Sequence, residues 1–191
     1  MIRSLLLLTV IASIAGCGDN HAPGIDYSNP KGGKLRLIKS KTKPASENEV
    51  VLDLVVGDQA LTGYSVGFNL PVGHRLVRLS DFVPGTALEP GSSPPAARAV
   101  QPASGPLADM LVTGLSQKAS GPDAVATDTT LAPGSVLYTI RLQKVIGAPE
   151  GVVFDGTDAS FVLPSGGMRD RSGTTVVEAA DVAIGKLEIN E

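Results

Sequence analysis

"GYSVGFNLP", residues 63–71, decides the fold class. Tyr64, Val66, Phe68 and Leu70 fall on one side of an extended chain, and Ser65, Gly67 and Asn69 on the other. That is the two-residue period of a strand with one face in a core. A helix, at 3.6 residues per turn, would scatter the same side chains around its axis. Working outward, "SVLYTIRLQK" (135–144) repeats the pattern, with Val136, Tyr138, Ile140 and Leu142 inward and Thr139, Arg141 and Gln143 outward. In "EVVLDLVVG" (49–57) Val50, Leu52, Leu54 and Val56 share one side, while Val51 and Val55 make the other partly apolar. A strand apolar on both faces lies deep in a sheet. Shorter strands are expected over 74–79, 110–115, 152–155, 160–163, 174–177 and 182–189. With one over 34–40 the total is about nine or ten, and no helix of normal length is evident. The expectation is all-β: a two-sheet β-sandwich or jelly roll of about nine strands.

Composition narrows the function. Sixteen basic and nineteen acidic residues give a net charge of −3, which supplies no electrostatic reason for a nucleic-acid partner. The one cysteine, Cys17, excludes a disulfide within the chain, and with two histidines a Cys/His transition-metal site is out of reach. Tryptophan is absent; of the three tyrosines and four phenylalanines, Tyr64, Phe68 and Tyr138 occupy the apolar phase of strands, Phe154 and Phe161 sit in short hydrophobic runs, and Phe82 enters the proline-rich loop. Few rings are left for a flat sugar-stacking platform. At 191 residues the chain holds one domain plus a tether.

The first residues carry an address. Met1-Ile2-Arg3 forms a positive n-region and 5–12 an apolar run of signal-peptide length, too short for the roughly 20 residues that cross a bilayer. Ile14-Ala15-Gly16-Cys17 resembles the lipobox of bacterial lipoproteins, in which the cysteine is acylated and becomes the mature N-terminus. The resemblance implies a signal peptide over 1–16, lipidation at Cys17 and attachment to the membrane of a bacterial cell envelope. Gly18 stands where an aspartate would resemble an inner-membrane retention signal, so the outer membrane is favoured.

Residues 17–32 then read as a flexible tether, being polar and rich in Gly, Pro and Asn, with the domain proper over 33–191. Lys31, Lys34, Arg36, Lys39, Lys41 and Lys43 follow with no acid among them. They fit an edge strand whose lysines block unwanted pairing, or attraction to anionic head groups near the anchor. Residues 84–106 hold six of the fourteen prolines and read as a draped or partner-binding loop outside the sheets. A second such region, 116–134, leaves room for a short helix or an edge strand.

The order of parts, "VVLDLVV", "LTGYSVGFNLP", a Pro/Gly-rich excursion, "GSVLYTIRLQKV", "GVVFDGTDASFVLPSGGMRDRSG" and "IGKLEIN", is similar to cohesin-like domains over residues 33–190. Those are jelly-roll sandwiches of about nine strands whose cellulosomal members bind dockerin modules. The resemblance implies the fold and a binding role, and does not extend to dockerin recognition.

Catalytic chemistry finds little footing. His21 lies in the tether, His74 follows Pro71-Val72-Gly73 in a turn, and Ser165 in "LPSGG" lacks a strand-elbow-helix context. Asp155, Asp158 and Asp170 are the calcium candidates, although Asp-Gly and Arg-Ser-Gly are also ordinary turn punctuation. No cofactor is implied. The reading is a non-enzymatic, lipid-anchored module for a protein or glycan ligand. An envelope hydrolase with carboxylates hidden from linear reading, or a structural spacer, are the alternatives.

Overall fold

The structure is a computed structural model, and it describes residues 24–88, 96–117 and 127–191. The signal peptide, Cys17 and His21 lie outside the described residues, as do parts of the 84–106 and 116–134 stretches.

The chain is all-β. In order run β1 (Gly24–Ser28), β2 (Leu35–Lys39), β3 (Glu49–Val56), β4 (Leu61–Gly63), β5 (Ser65–Pro71), β6 (Val77–Pro84), β7 (Ala96–Val100) and β8 (Met110–Ser116). They continue with β9 (Thr129–Leu131), β10 (Val136–Lys144), β11 (Gly151–Asp155), β12 (Ser165–Arg169), β13 (Thr175–Val177), β14 (Val182–Ala183) and β15 (Lys186–Asn190). A 3-10 turn, Ala179–Asp181, precedes β14. Two five-stranded sheets, ordered β14-β2-β3-β10-β6 and β13-β12-β5-β8-β7, form the sandwich. A three-stranded sheet, β1-β15-β11, and the ribbon β4-β9 complete it.

The alternation predicted for 63–71 is what packs the core. Val66, Phe68 and Leu70 of β5 are buried, as are Val50, Leu52, Leu54 and Val56 of β3 and Tyr138, Ile140 and Leu142 of β10. A buried polar tie joins the inner faces. The Tyr138 hydroxyl of one sheet lies 2.7 Å from Thr113 Oγ1 of the other, and Thr113 donates on to Phe68 O at 3.2 Å. Burial holds the Tyr138 phenol far above its ordinary titration range, against the opposing pull of Thr113, so it stays protonated. Val51 and Val55 are buried on the outer face of β3, in cross-strand rows with Arg141 and Arg36. Both arginines are ion-paired, to Glu49 at 2.7 Å and Asp58 at 3.1 Å.

Several expectations are corrected. The tether does not extend to residue 32, because Gly24–Ser28 is a strand paired along its length with Lys186–Asn190. Tyr27 fastens it: its hydroxyl donates to Leu37 O at 2.7 Å and accepts from Gly185 N at 2.6 Å, while the ring is buried against Phe154. Within the expected tether the described residues thus leave only 29–32 between strands.

The 84–106 stretch is not wholly outside the sheets. Its proline-free piece, Ala96–Val100, pairs with β8 as an edge strand. The 116–134 region contributes β9. Residues 160–163 form no strand, because Asp158 turns the chain by accepting from both the amide and the hydroxyl of Ser160 at 2.8 Å. The strand expected over 74–79 begins at Val77, and 182–189 is broken between β14 and β15.

The basic run is not a patch. β2 and the segments on either side of it string the run out, and three of its six members, Lys34, Arg36 and Lys39, are spent on Asp181, Asp58 and Asp26. Nor is β2 a bare edge. β14 covers Leu35 and Arg36 in parallel, Tyr27 caps Leu37 O, and Asn29 Oδ1 accepts from Lys39 N at 2.6 Å.

Candidate docking face

The outer face of β13-β12-β5-β8-β7 is unusually bare. Residues directly opposite in an antiparallel pair project to the same side, so the ladder fixes who lines it. One row across the sheet reads Gly167, Gly67, Gly114, Arg98; the next reads Arg169, Ser65, Ser116, Ala96, with Thr175 beside Arg169. The inward phase of the same strands holds Val66, Phe68, Leu115, Met168 and Val177, all buried. At these two rows the outward phase is therefore small residues flanked by cations, while the next row, Ser165, Asn69, Val112 and Val100, is bulkier. The small residues floor a groove of about 610 Å³.

Two of the glycines are required by close approach. A Cβ on Gly67 would stand 2.5 Å from Thr113 O across the ladder, and one on Gly167, at φ +123°, would stand 1.9 Å from Val177 O. Gly114 differs. A Cβ there would meet nothing within 4 Å, so it opens straight into the groove.

Charge frames the floor. Arg98 stands exposed on the edge strand with no ion partner among the described residues, and Arg169 donates to Gly173 O at 2.8 Å. Among the described residues lining the groove Glu178 is the one carboxylate, and none is aromatic. The arrangement offers shape, backbone and two guanidinium groups, which can fork onto carboxylates.

The residues singled out from sequence fall elsewhere. His74 Nδ1 lies 2.8 Å from Asp109 Oδ1, joining two loops. The small groove beside it is lined by Arg78, Leu79, Ala99, Val100, Gln101 and Ala103, without a hydroxyl or thiol. Ser165 opens β12 opposite Asn69, at one edge of the glycine-floored groove.

Asp155, Asp158 and Asp170 each serve their own turn. Asp155 accepts from the Thr157 hydroxyl at 2.6 Å and its amide at 2.9 Å, and these bonds hold its carboxyl below the ordinary aspartate value. The Ser160 amide and hydroxyl do the same for Asp158. Asp170 is lowered first by the Ser172 hydroxyl, at 2.6 Å, and also accepts from Thr174 N at 2.8 Å. Among the described residues no group of three or more His, Cys, Asp or Glu side chains is gathered to hold a metal ion.

Sequence reasoning passed over Arg98, Arg169 and Gly114. The available signal was the outward phase of "MLVTGLS", where Gly114 and Ser116 stand at positions that a solvated strand usually fills with larger polar groups.

Neither a family model nor a curated protein matches the sequence. Among solved structures, the solution structure of CaCohA2 from Clostridium acetobutylicum aligns with a TM-score of 0.47 at 13% identity, covering 84% of this chain and 92% of that one.

Proposed function

We propose that this protein is a lipid-anchored, non-enzymatic module of a bacterial cell envelope that docks a protein partner on the outer face of its β13-β12-β5-β8-β7 sheet. The observation that carries the docking role is the floor of Gly67, Gly114 and Gly167 between Arg98 and Arg169. A bare backbone floor admits close approach of another chain, and the guanidinium groups favour a partner with carboxylates at the contact. A glycan is less well served, since sugar rings stack on aromatic faces and the groove has none. Glycoside hydrolysis calls for two carboxylates about 5–9.5 Å apart, and among the described residues Glu178 has no second carboxylate beside it in the groove.

The anchor rests on sequence: the lipobox-like Ile14-Ala15-Gly16-Cys17 behind a short apolar run, with Gly18 favouring the outer membrane. None of the described helices is long and apolar enough to cross a membrane.

Gly114→Tyr tests the docking role. The new side chain enters open space in a strand where tyrosine is a better residue than glycine, so thermal unfolding should hold steady or improve. Capture of partners from envelope extract should fall by a factor of at least ten, the equivalent of about 1.4 kcal/mol. An unchanged set of partners at unchanged yield would move the binding surface elsewhere.

A further inference from the structure

The described chain enters the domain at Gly24, at one particular end of the sandwich. Ile25 N donates to Glu47 O at 2.9 Å, Gly24 pairs with Asn190, and Lys144 N donates to Asn48 O at 2.8 Å. That end therefore gathers the loop 40–48, the end of β10, the turn 145–150 and the end of β15. At the tip of the 145–150 turn stands Ile146, fully exposed at 101%. Its neighbours make the turn without it: Val145 N donates to Leu76 O at 2.9 Å, Ala148 N to Val145 O at 3.0 Å, and Gly147 takes the positive φ of 78°. Leu107, 41% exposed, lies at the same end, on the connection entering β8. Singly exposed aliphatic residues are ordinary on a protein surface; Ile146 stands out as the most exposed large hydrophobic among the described residues and as sharing the Gly24 end with Leu107.

The occupant follows from where the chain goes next. Cys17 is seven residues from Gly24, and even fully extended those residues span at most about 25 Å. The tether inferred from sequence was sixteen residues long; the pairing of β1 with β15 more than halves it. On the reading that Cys17 is acylated, the Gly24 end is held facing the bilayer. We propose that this end rests on the membrane, with the Ile146 side chain seated among the lipid head groups.

One aliphatic side chain is too little to recruit a free protein. Tethered, the contact becomes intramolecular, at an effective concentration on the order of millimolar. Charge neither drives nor opposes it: Lys41, Lys43, Arg75 and Lys144 at this end stand against Glu47, Asp109, Glu150 and Glu191. A neutral phospholipid surface suffices. With the strands then rising from the bilayer, the docking face stands sideways to it, open to a partner approaching along the membrane plane.

The chain contains no tryptophan, so a single introduced one is a clean probe. Acylated full chain carrying Ile146→Trp, or Val83→Trp near the opposite end, is incorporated into phosphatidylcholine vesicles with or without brominated acyl chains. Val83 is 49% exposed and pairs with Thr139 near the far ends of β6 and β10. The tryptophan at 146 should shift to the blue and lose most of its emission to the brominated lipid, in low and high salt alike, while that at 83 keeps its emission. If both probes stay bright on protein that floats with the vesicles, the seating is wrong and the anchor stands. Equal quenching of both would also overturn it, as adherence without orientation. Protein that fails to float at all removes the anchor and this inference together.

Discussion

Tyr138→Ala is expected to lower the free energy of unfolding by about 3–5 kcal/mol, the cost of emptying an aromatic site in a core. Few positions concentrate as much. The ring is fully buried, tilts against Phe68 at 6.0 Å and Phe82 at 5.2 Å between centroids, and ends in the hydroxyl that meets Thr113 of the facing sheet. Removing it leaves a void between the sheets and strips Thr113 of one of its partners. Domains of this size are stable by only about 5–15 kcal/mol, so the variant would stand near the edge of folding. Tyr138→Phe separates the two contributions. It keeps the ring and deletes the tie, while Thr113 still donates to Phe68 O, so the expected loss is about 1 kcal/mol. Urea unfolding of both variants checks the pair. Equal losses would mean that the packing of this ring contributes nothing and that the sheets are joined elsewhere.

Cys17→Ala should move the protein from the membrane fraction to the soluble one almost completely. Each acyl methylene buried in a bilayer contributes about 0.8 kcal/mol, and a single chain holds only marginally, so stable attachment calls for more than one. All of that energy would reside on one sulfur and the terminus beside it, because the chain has no other cysteine. Nothing in the folded body replaces it. The Ile146 contact is a single side chain, and half of the basic run is spent on Asp181, Asp58 and Asp26. Fractionation of envelopes by flotation reads the outcome. A Cys17→Ala variant that still floats would refute acyl anchoring.

The core was legible in the sequence and the candidate docking face was not, for reasons that particular residues make plain. Val66, Phe68 and Leu70 could be counted inward from "GYSVGFNLP" because a strand with one buried face repeats every two residues. The same count misplaced Val136, which is 38% exposed while Leu137 is buried, because a bulge between Val136 and Tyr138 shifts the phase. Tyr64 slips out of register too. It stands half-buried before β5 begins, with its backbone bonded to Arg169 O and Gln117 N.

Tyr27 was unreadable for a different reason. Its partner Gly185 is 158 residues away, and "GIDYS" is too short and polar to declare itself a strand. The docking face lies in what pattern-reading discards: the polar phase of β5 and β8, and Arg98 on a strand inside a proline-rich excursion. A surface made of small residues leaves no periodic signature, because its property is the absence of side chains.

Site-specific photo-crosslinking tests the central claim most directly. A photoreactive phenylalanine at Gly114 in the groove floor, compared with one at Val83 on the opposite sheet, is irradiated in intact envelopes of the native host. Docking on the β13-β12-β5-β8-β7 face predicts a discrete protein adduct from position 114 that position 83 does not give and that Arg98→Glu with Arg169→Glu removes. Adducts from 83 with none from 114 would contradict it.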